Sequence, residues 1–300
     1  MGVYSLLAMG KKRGKRGHSS SSSSVGAQAS TIGTYEISTG TAEIEADPFR
    51  DGAFVLHVNG VPSSHIVPGE PRELEFEYMR WIAAAVEAFA PGHRLTHLGG
   101  GACTLARYFA DIWDDSKNTV VEFDAKLGEL VREKFDIPRA PKVKIRAGEA
   151  RAETEKFRPA SRDVIIRDVF AGSVTPSPLT TVEFFAAAHS ALVPGGLYVA
   201  NCGDHSDLRG AKAEIAGLME VFGYVAVIAD PPMLKGRRYG NIILVASDTE
   251  LPAQHQEITS RLLGGAVPAH YKGPTWTKKF AAGAPARHDL LPTQTSAEEL

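Results

Sequence analysis

Apolar positions along this chain switch between two spacings, and the switches mark out its elements. From Thr34 to His65 the segments TYEISTGTAEIEAD and GAFVLHVNGVPSSHI alternate apolar and polar residues, broken by Gly, Pro and Asn-Gly. That period of two predicts antiparallel strands and tight turns, a small β-module over residues 31–68. The period then lengthens. Leu74, Tyr78, Trp81, Ile82, Ala85, Val86 and Phe89 recur at steps of three and four, which predicts a helix stopped by Pro91-Gly92. Leu95, His97 and Leu98 form a short strand that runs into Gly99, Gly100 and Gly101. A helix carried by Leu105, Tyr108, Phe109 and Ile112 follows, then the strand Val120-Val121, ending on Glu122.

The alternation continues to about residue 250. Helices are predicted over Leu127 to Phe135, Thr181 to Leu192 and Leu208 to Phe222. Strands are predicted at Val143 to Ile145, Asp163 to Asp168, Leu197 to Asn201, Tyr224 to Ile228 and Asn241 to Ala246. Strands separated by helices imply an α/β fold with a mostly parallel, seven-stranded sheet covered on both faces. The last two strands, joined by the basic loop LKGRRYG, suit an antiparallel pair at its edge. Residues 69–250 are thus one nucleotide-binding domain, and residues 251–300 an extension whose pattern fades into a loose tail from Ala281. Residues 1–30 hold a basic cluster, Lys11 to Arg16, and a serine run, Ser19 to Ser24, the composition of a disordered tail.

Composition narrows the classes. A net charge of −2 and a pI near 6.6 give the chain no nucleic-acid signature beyond a weak contact through the basic tail. Two cysteines, Cys103 and Cys202, are too few for a zinc or disulfide framework, so no metal is expected and a reducing cytoplasm suits them. No apolar run approaches the roughly 18 residues that span a bilayer. The short VYSLLAM segment precedes its charges, the reverse of a secretory signal, and Leu6 breaks the myristoylation pattern.

The candidate chemistry lies at the ends of the strands. Glycines 99, 100 and 101 let the backbone turn sharply and approach a ligand, with a helix N-terminus behind them. Glu122 follows about 20 residues later, where a carboxylate accepts from the two hydroxyls of a ribose. Thr104 stands where a dinucleotide fingerprint has its third glycine, so a single nucleoside such as an S-adenosyl compound fits better than NAD. The strand-end rule for open α/β sheets adds Glu149, after the third strand, and Asp168, which ends an apolar strand and opens the loop VFAGSVTPSPL. Asp163, at the other end of that strand, reads as structural. The polar segment Asn59-Gly60 to Ser63-Ser64 is placed to cover a ligand.

These motifs, in this order, resemble the spermidine synthases, the polyamine aminopropyltransferases, over roughly residues 34–248. LGGGACTLAR resembles their glycine turn, VVEFDAKLGELVREKF their ribose-binding strand and helix, RAGEA their adenine-side turn, and DVIIRDVF their catalytic Asp strand. FVLHVNGVPSSH and ELEFEYMRWI resemble their β-hairpin and Tyr-bearing gate helix. The resemblance implies a Rossmann-like class I methyltransferase fold and decarboxylated S-adenosylmethionine as aminopropyl donor. Glu122 would hold the ribose, Glu149 and Ala150 the adenine, Tyr78 the substrate, and Asp168 the attacking amine of a diamine. It also implies a homodimer through the β-module. The sequence departs from the family at Ala102 and Cys103, in place of Asp and Gly. It departs again at Met79-Arg80, in place of His-Glu or His-Gln, at Ala171, in place of a second acid, and at Ser63, in place of Gln. Those departures keep two alternatives open: a methyltransferase using S-adenosylmethionine, with Arg80 and Arg167 favouring an anionic acceptor, and a non-catalytic nucleoside-binding scaffold.

Overall fold

The computed structural model describes residues 31–172 and 174–290. The basic and serine-rich stretch, and any contact made by it, lies outside the described residues. The alternating segment forms a four-stranded antiparallel sheet in sequence order, β1 (Gly33–Ile37), β2 (Gly40–Ala46), β3 (Phe54–Val58) and β4 (Val61–Ile66). Its inward positions, among them Ile44, Leu56 and Ile66, pack on Ala102, Ala106, Leu127 and Val131. The module therefore shares a core with the following domain.

That domain is built on β5 (Arg94–Leu98), β6 (Lys117–Glu122), β7 (Val143–Ala147), β8 (Arg162–Arg167), β9 (Leu192–Asp204), β10 (Tyr224–Ala229) and β11 (Gly240–Ser247). An eighth strand, β12 (His270–Lys272), joins the edge, giving the order β12-β10-β11-β9-β8-β5-β6-β7. Strands β5 to β9 pair in parallel, while β11 pairs antiparallel with both β9 and β10. Central strands buried on both faces read as nearly continuous apolar runs, as Val164, Ile165 and Ile166 do. One face is covered by α1 (Glu77–Phe89), α2 (Thr104–Ile112) and α8 (Gln256–Leu263). The other is covered by α4 (Ala150–Glu155), α5 (Val182–Ala191) and α6 (Arg209–Val221). The remaining helices are α3 (Ala125–Lys134), α7 (Pro231–Leu234) and α9 (Pro274–Phe280).

Three details differ from the sequence expectation. Helix α1 starts at Glu77 rather than Leu74, because Arg80 Nη1 takes the carbonyls of Leu74 and Glu75, both at 2.7 Å, and holds that stretch extended. Strand β9 is far longer than the five residues of LYVAN, since pairing with β11 carries it on to Asp204. The extension past residue 251 is folded as far as Leu290: β12 pairs with β10, and Ile258 and Leu262 are buried under α1. The tail expected to be loose from Ala281 is tied down there. Arg287 O accepts from Val182 N at 2.9 Å, and Asp289 pairs with Arg151.

Candidate functional site

Hydrogen bonds between strand ends collect the predicted residues on one rim. Gly99 N donates to Val121 O, Asp168 N to Leu98 O and Gly148 N to Glu122 O, each at 2.9 Å. The chain leaves β5 for β6 on one side and returns through β8 on the other, so the rim lies at the switch point where open α/β sheets bind ligands.

The glycine turn needs glycine. Gly99 sits at φ 88°, and a Cβ there would lie 2.2 Å from Asp168 O. Gly101 sits at φ 48°, and its Cβ would lie 2.6 Å from Ser64 Oγ. The same hydroxyl accepts from Ala102 N at 2.9 Å, so the end of the N-terminal sheet is locked onto the turn. Ser64 is thus the residue of the Ser63-Ser64 pair that reaches the rim, whereas Asn59 is used within the hairpin, bonding Thr41 N and Thr39 O. Cys103, at φ 58°, is a buried non-glycine residue in the left-handed region, and burial pushes its thiol up to about 12.

Glu122 faces the turn. Its Oε2 accepts from Gly100 N at 2.9 Å and Gly101 N at 3.3 Å, and its Oε1 accepts from Asp124 N at 3.0 Å. Burial lifts its carboxyl above the usual range, and those three amides hold the rise back. Next to it the Phe123 ring is 66% exposed. Glu149 is exposed and caps α4, accepting from Arg151 N at 2.9 Å and Ala152 N at 2.7 Å, with Ala150 buried behind it.

Asp168 stands across the turn from Glu122. Its carboxylate accepts from Asn201 Nδ2 at 3.0 Å and faces the Tyr78 hydroxyl. Burial raises its pKa, with Asn201, Tyr78 and the Arg167 charge opposing the rise. Tyr78 is itself driven well up by burial and by Asp168, so it keeps its proton. A small cavity of about 20 Å³ lined by Met79, His97, Gly99, Gly100 and Asp168 lies beneath. His97 is buried there and held down at about 4, with Nε2 3.0 Å from Asn118.

The structure thus brings together Tyr78, the three glycines, Glu122 and Asp168, and sets Glu149 at the rim's outer end. Asp163 lies at the opposite end of β8 on Arg94. Sequence reasoning passed over Asn201, although LYVAN ends an apolar strand on a polar residue as DVIIRD does. It also passed over Phe123, a large apolar side chain between two acids. The two cations that kept an anionic acceptor in view are both engaged: Arg80 on backbone carbonyls, and Arg167, fully buried, on Glu214. Arg167 therefore offers no free charge to an acceptor, while Arg80 is turned through Nη1 onto the chain before α1.

Strand order and rim define the class, a Rossmann-like fold of the class I methyltransferase type with an N-terminal β-module. The crystal structure of a probable spermidine synthase from Corynebacterium glutamicum ATCC 13032 matches it with a TM-score of 0.84. That match has 63% identity and covers 87% of this chain and 98% of that one. A spermidine synthase in complex with the transition state analogue AdoDATO shares the fold, with a TM-score of 0.57 and 19% identity over 84% and 83% of the two chains. The polyamine aminopropyltransferase of Vibrio vulnificus (strain CMCP6) is 24% identical over 187 residues, 62% of this chain. The match spans 60% of that relative's length. No protein-family model matches. The chain belongs to the spermidine synthase family, the polyamine aminopropyltransferases.

Proposed function

We propose that the protein transfers an aminopropyl group from decarboxylated S-adenosylmethionine to an amine, as a step of polyamine biosynthesis. The observation that carries the proposal is Asp168, held between Asn201 and Tyr78 at the switch point, opposite Glu122 on the glycine turn. The residues fit an adenosyl donor. Glu122 accepts the ribose hydroxyls, the bond from Gly101 at 3.3 Å being the weakest to displace. The exposed Phe123 ring offers a face for the adenine, and Glu149 with Ala150 bounds its outer edge. They also fit an amine. Asn201 Oδ1 is buried without a partner among the described residues, and an amine N–H beside Asp168 satisfies it.

The donor supplies an electrophilic methylene next to a sulfonium. The amine lone pair forms the new C–N bond as the C–S bond breaks and neutral methylthioadenosine leaves. Asp168 takes the proton released from the nitrogen, a task that suits a carboxylate that also attracts a cation. Tyr78 and Asn201 fix its orientation, and much of the rate comes from holding nitrogen and carbon in line. The homodimer and the cytoplasmic location expected from the sequence belong to this proposal, the latter supported by two buried free cysteines. Among the described residues no helix is long and apolar enough to cross a membrane.

The test is an assay of methylthioadenosine release with a panel of diamines, run on wild type and Asp168→Asn. The variant is expected to lose about 10²- to 10⁴-fold in kcat, as removal of a general base does, with donor affinity retained. S-adenosylhomocysteine as the product from S-adenosylmethionine, with no diamine-dependent release of methylthioadenosine, would overturn the reading.

A further inference from the structure

Arg167 is fully sealed from solvent at the last position of β8, directly before Asp168. Its neighbours along the strand, Val164, Ile165 and Ile166, are what such a strand ordinarily buries. An arginine there carries a heavy desolvation cost. It meets that cost with three directed bonds. Nη2 donates to Glu214 Oε2 at 2.8 Å and to Asn201 O at 3.1 Å, and Nη1 donates to Leu179 O at 3.3 Å. Glu214 comes from α6 and is 2% exposed, with the Cys202 thiol beside it.

Each acceptor lies on a different piece of the surroundings of Asp168. Asn201 on β9 is the residue whose Nδ2 bonds Asp168 Oδ1. Leu179 ends the short 3₁₀ turn Ser177–Leu179, the returning end of the segment that leaves Asp168. Glu214 anchors the guanidinium from below. Packing alone does not call for this pair, since apolar side chains of similar volume are often as stable in its place. A planar guanidinium, however, fixes three elements by direction, which an apolar side chain cannot do.

We infer that Arg167, anchored by Glu214, is a positioning residue for the transfer reaction, fixing Asn201 and the end of the 169–179 segment so that Asp168 is presented in a single geometry. The inference rests on the reading of Asp168 as proton acceptor. The groups facing Asp168 are Tyr78 from α1, Asn201 from β9 and Arg167 beside it. Those facing the ion pair are Tyr198 and Cys202 on β9 and Arg287 from the C-terminal segment. Arg167 is the cation in this set that favours the ionised form of Asp168.

Two variants test it. Arg167→Met combined with Glu214→Met removes both charges at similar volume. Arg167→Lys keeps the charge and its partner but loses the fork. Kinetics give kcat and the donor KM, and ¹³C NMR of the Asp168 carboxyl gives its titration. The double variant is expected to lose about 10- to 100-fold in kcat with the donor KM within about twofold. Its Asp168 carboxyl should titrate at higher pH. Arg167→Lys should lose kcat while Asp168 titrates as in wild type. Wild-type kcat in either variant overturns the inference, as does a parallel loss of donor binding and melting temperature, which would leave the pair only structural. If the double variant does not fold, Arg167→Lys decides alone. Failure of the base reading shows separately, as turnover retained in Asp168→Asn, while the carboxyl titration still reports on the ion pair.

Discussion

In the proposed reaction Asp168 is the proton acceptor, and its surroundings would set the acid limit of activity. Burial raises its pKa, and a proton acceptor works only when ionised, so kcat/KM should fall as pH descends through that raised value. The same shift means that the folded state binds this proton more tightly than the unfolded chain, so protonating Asp168 does not itself unfold the protein. Activity should therefore be lost on acidification before circular dichroism shows unfolding; simultaneous loss would count against the assignment. Gly99 is the matching backbone position. With φ at 88° and no room for a Cβ beside Asp168 O, Gly99→Ala should lower stability by about 1–2 kcal/mol from the left-handed conformation alone. Calorimetry should also show weakened binding of methylthioadenosine, because the turn and Asp168 shift together. Cys103 shows that the turn tolerates one such cost, carrying a non-glycine residue at φ 58°.

Among the elements, the N-terminal sheet is tied to the site by contacts that the sequence pattern does not display. It reads as a separate β-module, yet two contacts make it part of the site. Ser64 holds Ala102 N, and Asp124, the N-cap of α3, accepts from Thr39 N at 2.6 Å and Thr39 Oγ1 at 2.9 Å. Burial opposes the charge on Asp124, but the N–H groups of Leu127, Ser38 and Thr39 and the Thr39 hydroxyl outweigh it and hold the pKa at about 2. A folded pKa below the unfolded one gives stability that is present above the unfolded value of about 3.9 and lost as pH falls through 2. Asp124→Ala should therefore lose about 1–2 kcal/mol at neutral pH, the usual cost of removing such a cap. The difference from wild type should vanish near pH 2 in urea titrations. Helix α4 is a further case: Glu149 reads from the sequence as a rim acid, but it also starts that helix by accepting two of its free amides.

The molecule as a whole is closed by its C-terminal extension, which lies across both faces of the sheet. Strand β12 extends the β10 edge, α8 covers α1, and the segment after α9 runs back to α5 and to Arg151. Truncation after Ala282 removes the Arg287 and Asp289 contacts while leaving β12 in place. It should lower the melting temperature by roughly 2–4 °C for each kcal/mol lost, the scale expected at this size. An unchanged melting temperature would show that the segment contributes nothing to the fold.

The sequence by itself determined the alternation of strands and helices, the switch-point rim, the three glycines, Glu122 and Asp168. Each of these rests on a local cause: a repeat of two or of three to four, a turn that needs glycine, or a carboxylate ending an apolar strand. What only the tertiary structure decided are the partners of those residues. Arg80 and Arg167 look like free cations in sequence. The fold spends one on the carbonyls before α1 and the other on Glu214, 47 positions away. Asn201 comes to the rim from β9 in the same way, and Ser64 of β4 meets Ala102 there. Their separation along the chain is bridged by strand pairing and helix packing, and neither leaves a mark in local periodicity.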